Sequence, residues 1–318
     1  MKEIPVFFTI DDGYAPYLDC ALRSMMENAS REFHYKIIVL EQGLKEERKE
    51  LLKAAVKEPF AIEFIRMEDS YGWLTDREEN WLRCDYFTLT IYFRLFIADM
   101  FPQYDKALYL DSDIVVPGDV SGLYATALGD NLLAVCMDQA VEAVPELSYY
   151  AEHSIGVKNT DYFNSGVMVM NLKKLREEKF ADQFMHLLNT WHVDCLAPDQ
   201  DYLNAICQGR VVMLDGIWDV MPPANSQAPL AENPKLIHYN LFSKPWCYDN
   251  IAYEEYFWKY AKQSPFYQEI VQYKENYSEE QKQSDTDCMA TMIKKAAVLD
   301  QRPVTFRKLR DRGEKVKL

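Results

Sequence analysis

The chain has 318 residues, of which 48% are hydrophobic and 14% aromatic, so it can bury a large core and global disorder is excluded. Its formal net charge of −15 argues against nucleic acid as a partner, because a phosphate backbone is neutralised by lysine and arginine. The exception is a basic tail over residues 302–318, with seven basic residues: Arg302, Arg307, Lys308, Arg310, Arg312, Lys315 and Lys317.

Cysteine usage and the N-terminal segment bear on the compartment. Seven scattered cysteines without a C-x-x-C pair favour free thiols in a reducing compartment over a zinc or redox site. The opening segment has no apolar stretch long enough for a signal peptide, and no run of about 18 apolar residues occurs along the sequence. We therefore expect a cytoplasmic protein.

The first part of the chain alternates apolar runs with amphipathic segments. Strands are predicted at 4–10, 35–40 and 61–66, and helices at 16–27 and 44–56. Strands that alternate with helices imply crossover connections and an α/β fold with a mainly parallel sheet covered on both faces.

The middle of the chain continues this pattern. The predicted elements are a helix at 90–100, strands at 106–110, 132–137 and 166–172, helices at 173–191 and from Asp199, and a short strand at 235–238. Beyond Trp246 the segments become aromatic-rich and helical. We predict a catalytic domain over 1–248 and a helical C-terminal extension with the basic tail over 249–318.

Two acidic residues, Asp111 and Asp113, directly follow the buried strand at 106–110. Ligands of open α/β sheets bind at the carboxyl ends of strands, and a divalent cation relieves the repulsion between two close carboxylates. An Asp-rich turn or helix cap is the alternative. His238 follows a short strand and would add a nitrogen ligand that favours Mn²⁺ over Ca²⁺, or else it is a structural histidine. Lys244 is placed to meet a phosphate.

Two further segments carry polar groups at element ends. Asn164, Ser165 and Gly166 open a buried strand, where small residues allow close approach of a ligand, or simply a tight strand entry. Asp199 and Gln200 stand at a helix start, where Asp199 as an N-cap is the alternative explanation. Because glycine-rich phosphate loops, nucleophile elbows and H-E-x-x-H are missing from the sequence, phosphate is expected to be held by metal and lysine.

Taken in order, these segments resemble glycosyltransferase family 8, which includes bacterial lipopolysaccharide galactosyl- and glucosyltransferases and glycogenin. The resemblance covers roughly residues 1–248 and rests on five segments: an opening strand ending in Asp11-Asp12, Y-L-D-S-D, F-N-S-G-V-M-V-M-N-L, the D-Q-D helix start and H-Y-N-L-F-S-K-P-W. It implies a GT-A fold and a retaining transfer of hexose from UDP-glucose or UDP-galactose, with Mn²⁺ or Mg²⁺. The implied acceptor is a glycan, a lipid-linked molecule or a protein. The implied pathway is lipopolysaccharide biosynthesis.

The resemblance also implies roles for individual residues. The implied metal ligands are Asp111, Asp113 and His238. The implied donor-binding residues are Thr9, Asp11, Tyr14, Arg94, Ser112, Ser165, Gly166 and Lys244. The implied catalytic residues are Gln200, Asp199, Asp138 and Asn164. Two positions depart from the family pattern: Leu241 or Phe242 replaces a usual glycine, and Gly13 stands where asparagine is common.

The mechanism and two rival functions stay open at this point. Retaining glycosidases use a carboxylate nucleophile about 5 Å from a second carboxyl group, and no such pair is obvious here. The amide of Gln200 is a poor nucleophile, which favours attack from the leaving-group face. The rivals are a non-catalytic or hydrolytic sugar-nucleotide binder and a sugar nucleotidyltransferase. The basic tail is either a solvated helical end or a peripheral attachment to anionic lipid at the inner membrane face.

Overall fold

The computed structural model describes residues 2–67, 90–223 and 229–318. The chain divides into two compact units, each built from separate stretches of sequence. Unit 1 comprises Met1–Glu68, Ala107–Ala127 and Asp215–Lys282, and unit 2 comprises Asp69–Lys106, Leu128–Leu214 and Gln283–Leu318. The predicted domains, 1–248 and 249–318, divide the chain in a different way and stay a prediction.

The described residues form nine strands: β1 (Lys2–Asp11), β2 (Phe33–Gln42), β3 (Phe60–Arg66), β4 (Ala107–Leu110), β5 (Ile114–Val115), β6 (Leu133–Met137), β7 (Phe163–Met170), β8 (Val211–Met213) and β9 (Ile237–His238). They also form fourteen α-helices: α1 (Ala15–Asn28), α2 (Glu46–Ala55), α3 (Thr90–Phe93), α4 (Ile97–Met100), α5 (Val120–Tyr124), α6 (Gln139–Ala143), α7 (Pro145–Tyr150), α8 (Leu172–Glu177), α9 (Phe180–Trp191), α10 (Pro198–Ile206), α11 (Glu254–Ala261), α12 (Tyr267–Glu275), α13 (Glu279–Ala296) and α14 (Phe306–Asp311).

Unit 1 is built on four parallel strands in the order β3-β2-β1-β4. Seven consecutive residues of β1, from Ile4 to Ile10, are buried, as expected for a strand covered on both faces. Helix α1 begins directly after the turn that follows β1, with Pro16 in its first turn. The carboxyl ends of β1 and β4 therefore lie side by side at one edge of the sheet.

A short antiparallel pair, β5 with β9, joins two distant parts of unit 1. Ile114 lies opposite His238, and the backbone N–H of Tyr239 donates to the carbonyl of Asp113 over 2.9 Å. Gly118 allows the close approach of the two chains, because a Cβ atom at Gly118 would lie only 2.7–3.0 Å from atoms of Lys235. This pairing brings a residue of the late strand next to the end of β4.

Unit 2 contains β6 paired antiparallel with β7 and parallel with β8. All eight residues of β7 are buried. The side chain of Asn204 on α10 accepts from the N–H of Phe163 and donates to its carbonyl, both over 2.9 Å, as a neighbouring strand would. Within the described residues, most strand pairings are parallel and helices flank the strands. The predicted mixed, mainly parallel α/β class with a helical C-terminal region is confirmed.

Two predicted helices are interrupted in the structure. The helix expected over 173–191 is two helices, α8 and α9, because Lys179 adopts a left-handed backbone with φ of 56°. The helix expected over 90–100 contains a 3₁₀ turn at Arg94–Phe96 between α3 and α4. That turn carries Arg94, one of the predicted donor-binding residues.

The basic tail is folded onto the rest of unit 2. Phe306, Leu309 and Val316 are buried, and the N–H of Leu318 donates to the carbonyl of Ile206 over 3.0 Å. The guanidinium of Arg310 donates to the side chain of Gln208. The tail is therefore anchored through its apolar side chains, while most of its basic side chains point to solvent.

Two further findings concern membranes and cysteines. Among the described residues, no helix has the length and hydropathy that a membrane crossing requires.

Cys288 is disulfide-bonded, so the expectation that all cysteines are free thiols is wrong at this position. Burial raises the pKa of the Cys20 and Cys195 thiols well above the usual value.

Candidate active site

The predicted metal ligands lie together in unit 1. Asp111, Asp113 and His238 each offer one ligand atom, and these atoms lie within 4.8 Å of one another. Nε2 of His238 is 3.3 Å from Oδ1 of Asp113 and 3.8 Å from Oδ2 of Asp111. The end of β4 supplies the two acids, and the β5–β9 pair supplies the imidazole.

The imidazole of His238 is held from its other side. His238 is 1% exposed, and its Nδ1 lies 3.0 Å from Oδ1 of Asp219, which is fully buried. The backbone N–H of His238 also donates to the carbonyl of Val220 over 2.8 Å. Asp219 was not predicted from the sequence, because no spacing or motif links it to His238 before the fold is known.

Opposite charges dominate this cluster. Burial raises the pKa of Asp113, but the charges of Lys244 and His238 outweigh it and hold that pKa well below its usual range. Burial lowers the pKa of His238, but the charges of Asp113 and Asp219 raise it well above the usual value. Without metal the cluster is therefore ion-paired, and a metal at Nε2 of His238 would displace a proton.

The other acid, Asp111, is fixed by a tyrosine of the preceding strand, β4. The hydroxyl of Tyr109 donates to Oδ1 of Asp111 over 2.8 Å and lies 2.8 Å from Oγ1 of Thr9. Thr9, one of the predicted donor-binding residues, is thus linked to the acid pair through Tyr109. The sequence carried a signal for Tyr109, because alternate residues of a strand point to the same side.

Lys244 lies against the acid pair. Its Nζ donates to Oδ2 of Asp113 over 2.6 Å and to the carbonyl of Tyr239 over 2.8 Å. The loop between His238 and Lys244 contains a left-handed residue, Leu241, with φ of 57°. A left-handed backbone favours glycine. Leu241, rather than Phe242, therefore has the conformation expected at the position where the family usually has a glycine.

The remaining predicted residues of unit 1 lie around the end of β1 and β4. Oδ1 of Asp11 accepts from the backbone N–H of Tyr14 over 3.2 Å and caps the turn there. The ring of Tyr14 packs edge-on against Tyr17, which stacks on Trp246 with ring centroids 4.0 Å apart. Ser112 is buried between the two acids in the chain. The roles of Asp11, Tyr14 and Ser112 in donor binding stay predictions.

Unit 2 gathers the other predicted residues into a buried polar network centred on Asp138. Its Oδ1 accepts from the N–H groups of Ala140 and Val141 at the start of α6. Its Oδ2 accepts from Nε2 of Gln200 over 2.9 Å and from Nδ2 of Asn164 over 3.3 Å. These four hydrogen bonds hold the carboxyl group of Asp138 in one orientation.

The strand entry at Asn164 and the helix start at Gln200 are joined directly. The N–H of Ser165 donates to Oε1 of Gln200 over 3.0 Å, and the N–H of Gly166 donates to Oδ1 of Asn164 over 2.8 Å. Nη1 of Arg94 donates to the carbonyl and hydroxyl of Ser165. These contacts hold the amide of Gln200 between β7 and α6.

Asp199 does not cap α10. The N-cap is Ala197, and Oδ2 of Asp199 instead lies 3.2 Å from Nε of the buried Arg94 and accepts from the Ser165 hydroxyl. The capping explanation for Asp199 is therefore wrong. Asp201 instead accepts from the N–H groups of Leu196 and Ala197 and from two tyrosine hydroxyls. This role of Asp201 was not predicted from the sequence.

The cluster in unit 1 has the composition of a divalent-metal site. Two carboxylates and one imidazole suit Mn²⁺, and the carboxylates alone also suit Mg²⁺. Because Nδ1 of His238 is engaged by Asp219, Nε2 is the nitrogen that faces the carboxylates. The residues present therefore fit the predicted ion.

Comparisons with known proteins identify the family of this chain. The model for glycosyl transferase family 8 matches residues 5–250. A putative glycosyltransferase of Haemophilus influenzae is 26% identical over 70% of this chain and 64% of its own length. A lipopolysaccharide 1,2-glucosyltransferase of Escherichia coli is 27% identical over 82% of this chain and 78% of its own. The chain thus spans less than two thirds of the Haemophilus relative.

A solved structure shares the fold. The galactosyltransferase LgtC, in complex with donor and acceptor sugar analogues, superposes with a TM-score of 0.70 at 25% identity and covers 88% of this chain and all of its own. The GT-A fold implied by the resemblance is therefore confirmed. With a family model that matches most of its length, this chain belongs to glycosyl transferase family 8.

Proposed function

We propose that the chain is a retaining hexosyltransferase that uses Mn²⁺ to transfer glucose or galactose from a UDP-sugar to a glycan or lipid-linked acceptor of the cell envelope. Membership of the family supports glycosyl transfer. The observation that carries the finer proposal is the cluster of Asp111, Asp113 and His238, with ligand atoms within 4.8 Å of one another.

In this proposal Asp111, Asp113 and His238 hold the ion. A bound Mn²⁺ supplies Lewis-acid stabilisation of the charge that develops on the departing diphosphate. Lys244 already lies at Asp113, and its ammonium adds a second positive charge at the same place. Thr9, Asp11 and Tyr14 bind the uridine in this proposal, at the end of the neighbouring strand β1.

The network in unit 2 supports attack from the leaving-group face. A double displacement needs a free carboxylate nucleophile, but Asp138 accepts four hydrogen bonds and Asp199 is paired with Arg94. The amide of Gln200, fixed at both ends, suits a neutral group that orients a sugar hydroxyl better than a nucleophile. Asn164 and Ser165 complete the proposed sugar pocket.

We also propose that the protein works at the inner face of the membrane. Arg307, Arg312, Lys315 and Lys317 are exposed on a tail whose apolar side chains are buried. Such a surface suits anionic lipid headgroups, since each Lys or Arg near an anionic surface contributes about 1 kcal/mol. A lipid-linked acceptor would suit that location.

The test of the proposed function is metal-dependent release of UDP with and without an acceptor. Replacing Asp113 by Asn removes one negative ligand, so we expect UDP-sugar turnover in Mn²⁺ to fall about a hundredfold or more, a barrier change of about 3 kcal/mol. Asp130, whose side chain is 94% exposed, provides the matched control, and its Asn variant should keep wild-type turnover.

Three outcomes would contradict the proposal. Wild-type turnover by the Asp113→Asn variant would remove the metal from the mechanism. UDP release by the wild-type chain that is the same with and without every glycan acceptor would identify a hydrolase instead. Inversion of the anomeric centre in the product, measured by NMR, would exclude the retaining reaction.

A further inference from the structure

The buried contacts behind the metal ligands suggest a role for two residues that lie outside the ligand set. Asp219 is fully buried, and its Oδ1 lies 3.0 Å from Nδ1 of His238. Tyr109 is also fully buried, and its hydroxyl donates to Oδ1 of Asp111 over 2.8 Å. Asp219 contacts the His238 nitrogen other than Nε2, and Tyr109 contacts the Asp111 oxygen other than Oδ2, the one that lies 3.8 Å from His238.

We propose that Asp219 and Tyr109 are positioning residues that fix His238 and Asp111 for divalent-metal binding. This inference rests on the proposed function, because it concerns the same metal site. Neither residue donates a ligand atom in this scheme, and both act through the ligand that they touch.

For His238 the contact decides which nitrogen is available. A neutral imidazole has one N–H and one lone pair, and an acceptor at Nδ1 keeps the proton there and leaves the lone pair on Nε2. Nε2 is the atom that faces Asp113 and Asp111, at 3.3 and 3.8 Å. Without Asp219 the ring could take the other tautomer or rotate, and both changes would remove the nitrogen ligand.

The backbone around Asp219 gives this contact a rigid base. Asp219 follows a 3₁₀ turn at Gly216–Trp218. The next residue, Val220, bridges to Ile237, and its carbonyl accepts from the N–H of His238. Backbone pairing therefore holds Asp219 and His238 in a fixed register, which keeps their side chains within reach of each other.

For Asp111 the contact restricts one carboxylate oxygen. With Oδ1 bound by the Tyr109 hydroxyl, Oδ2 is the oxygen that faces Nε2 of His238. Oγ1 of Thr9 lies 2.8 Å from the same hydroxyl, so Thr9 takes part in this arrangement from β1. The strand edge thus orients the acid before any ion arrives.

The experiment is Mn²⁺ titration of the full chain without nucleotide, followed by electron paramagnetic resonance of the free ion. Outer contacts of this kind are worth about 10–100-fold in metal affinity. We expect the Asp219→Asn variant to bind Mn²⁺ about 10–100-fold more weakly than the wild type. In the His238→Ala background the same substitution should have no further effect, because Asp219 acts through the imidazole.

Tyr109→Phe is the second arm and keeps the aromatic ring in the core. It should also weaken Mn²⁺ binding, and the effect should vanish in the Asp111→Asn background. The controls are Asp249→Asn, at a side chain that is 83% exposed, and Tyr35→Phe, which removes a tyrosine hydroxyl from strand β2 of the same sheet. Both should bind Mn²⁺ as the wild type does.

The outcomes separate the two proposals. A wild-type chain that binds no Mn²⁺ would overturn the proposed function. A wild-type chain that binds Mn²⁺ with unchanged affinity in both Asp219→Asn and Tyr109→Phe would overturn the positioning roles alone. Equal losses with and without the His238 imidazole would also overturn the role of Asp219, because a general loss of structure would then explain the effect.

Discussion

The side chain of Gln200 is 4% exposed and has a partner for both ends of its amide. Oε1 accepts from the N–H of Ser165, and Nε2 donates to Asp138 and to the hydroxyl of Tyr162. An amide held in this way keeps one orientation, so its carbonyl and amino groups stay on fixed sides. At the residue scale, a group that orients a sugar requires such a fixed orientation.

Replacing Gln200 by Ala tests whether it orients or reacts. Loss of a hydrogen bond to a charged partner costs about 1.5–3 kcal/mol, so we expect kcat to fall about 10–100-fold with transfer still measurable. A covalent route through Gln200 would instead lower kcat by about 10⁴-fold or more. Steady-state transfer kinetics separate these results.

Gln208 provides the matched control for that substitution. It lies in the same unit at the end of α10, where its side chain contacts Arg310 and the carbonyl of Gly156. Gln208→Ala should lower the free energy of unfolding and leave kcat unchanged. An equal loss of kcat in both variants would show that the Gln200 effect is one of stability.

Single residues also show what sequence reasoning can and cannot reach. Asp111, Asp113 and His238 were predicted as one site, and the structure brings them together, because strand ends and ordered motifs carry that information. Asp219 and Asp201 were missed, since their partners are distant in the sequence and depend on register. The assigned roles in donor and acceptor binding stay predictions.

At the element scale, the β5–β9 pair determines the spacing of the metal ligands. It contains only two residue pairs, Ile114 with His238 and Val115 with Ile237. The N–H of Gly118 extends it by donating to the carbonyl of Lys235 over 2.9 Å. Sequence patterns predicted the late strand but not β5, because two residues are too few for a periodic signal.

Gly118→Ala tests this pairing. Its new Cβ would meet the backbone and side chain of Lys235 at 2.7–3.0 Å, so the strand that carries His238 must shift. We expect a loss of about 1–3 kcal/mol in the free energy of unfolding and weaker Mn²⁺ binding. Urea unfolding and Mn²⁺ titration measure the two effects.

Gly216→Ala is the control for this steric argument. Gly216 lies in the same unit, and nothing stands within 4 Å of a Cβ added there. It should unfold and bind Mn²⁺ as the wild type does. If Gly118→Ala were equally harmless, the close packing against Lys235 would not determine the position of β9.

The helices show the same limit of sequence patterns. An apolar stripe runs through both α8 and α9, so periodicity predicts one helix over 173–191. The left-handed backbone of Lys179 breaks it, although lysine has no preference for that conformation. Tertiary packing, which periodicity does not report, decides where this helix ends.

At the scale of the whole molecule, the tail is both an anchor and a charged surface. Its apolar residues Phe306, Leu309 and Val316 are buried. Deleting residues 302–318 would therefore expose the apolar surface of unit 2 that they cover, and a loss of vesicle binding could not be told from unfolding. Charge substitutions at exposed positions avoid this difficulty.

A triple variant with Arg312, Lys315 and Lys317 changed to Gln tests membrane contact. At about 1 kcal/mol for each charge, its partition onto anionic phosphatidylglycerol vesicles should fall about a hundredfold. Cosedimentation at low and high salt measures this. The matched control changes Lys2, Lys53 and Lys57, all exposed in unit 1, to Gln and should bind vesicles like the wild type. Equal binding by both triple variants would leave the tail as a solvated helical end.

The proposed metal ligands are far apart in the sequence, and this has a consequence for biosynthesis. Asp113 and His238 are separated by about 125 residues, and a ribosome adds about 5–20 residues per second. A nascent chain therefore exposes the acid pair for roughly 6–25 s before the imidazole and the Lys244 ammonium emerge. During that interval the histidine and the lysine of the site have not yet been made, so unit 1 reaches its native state only late in translation.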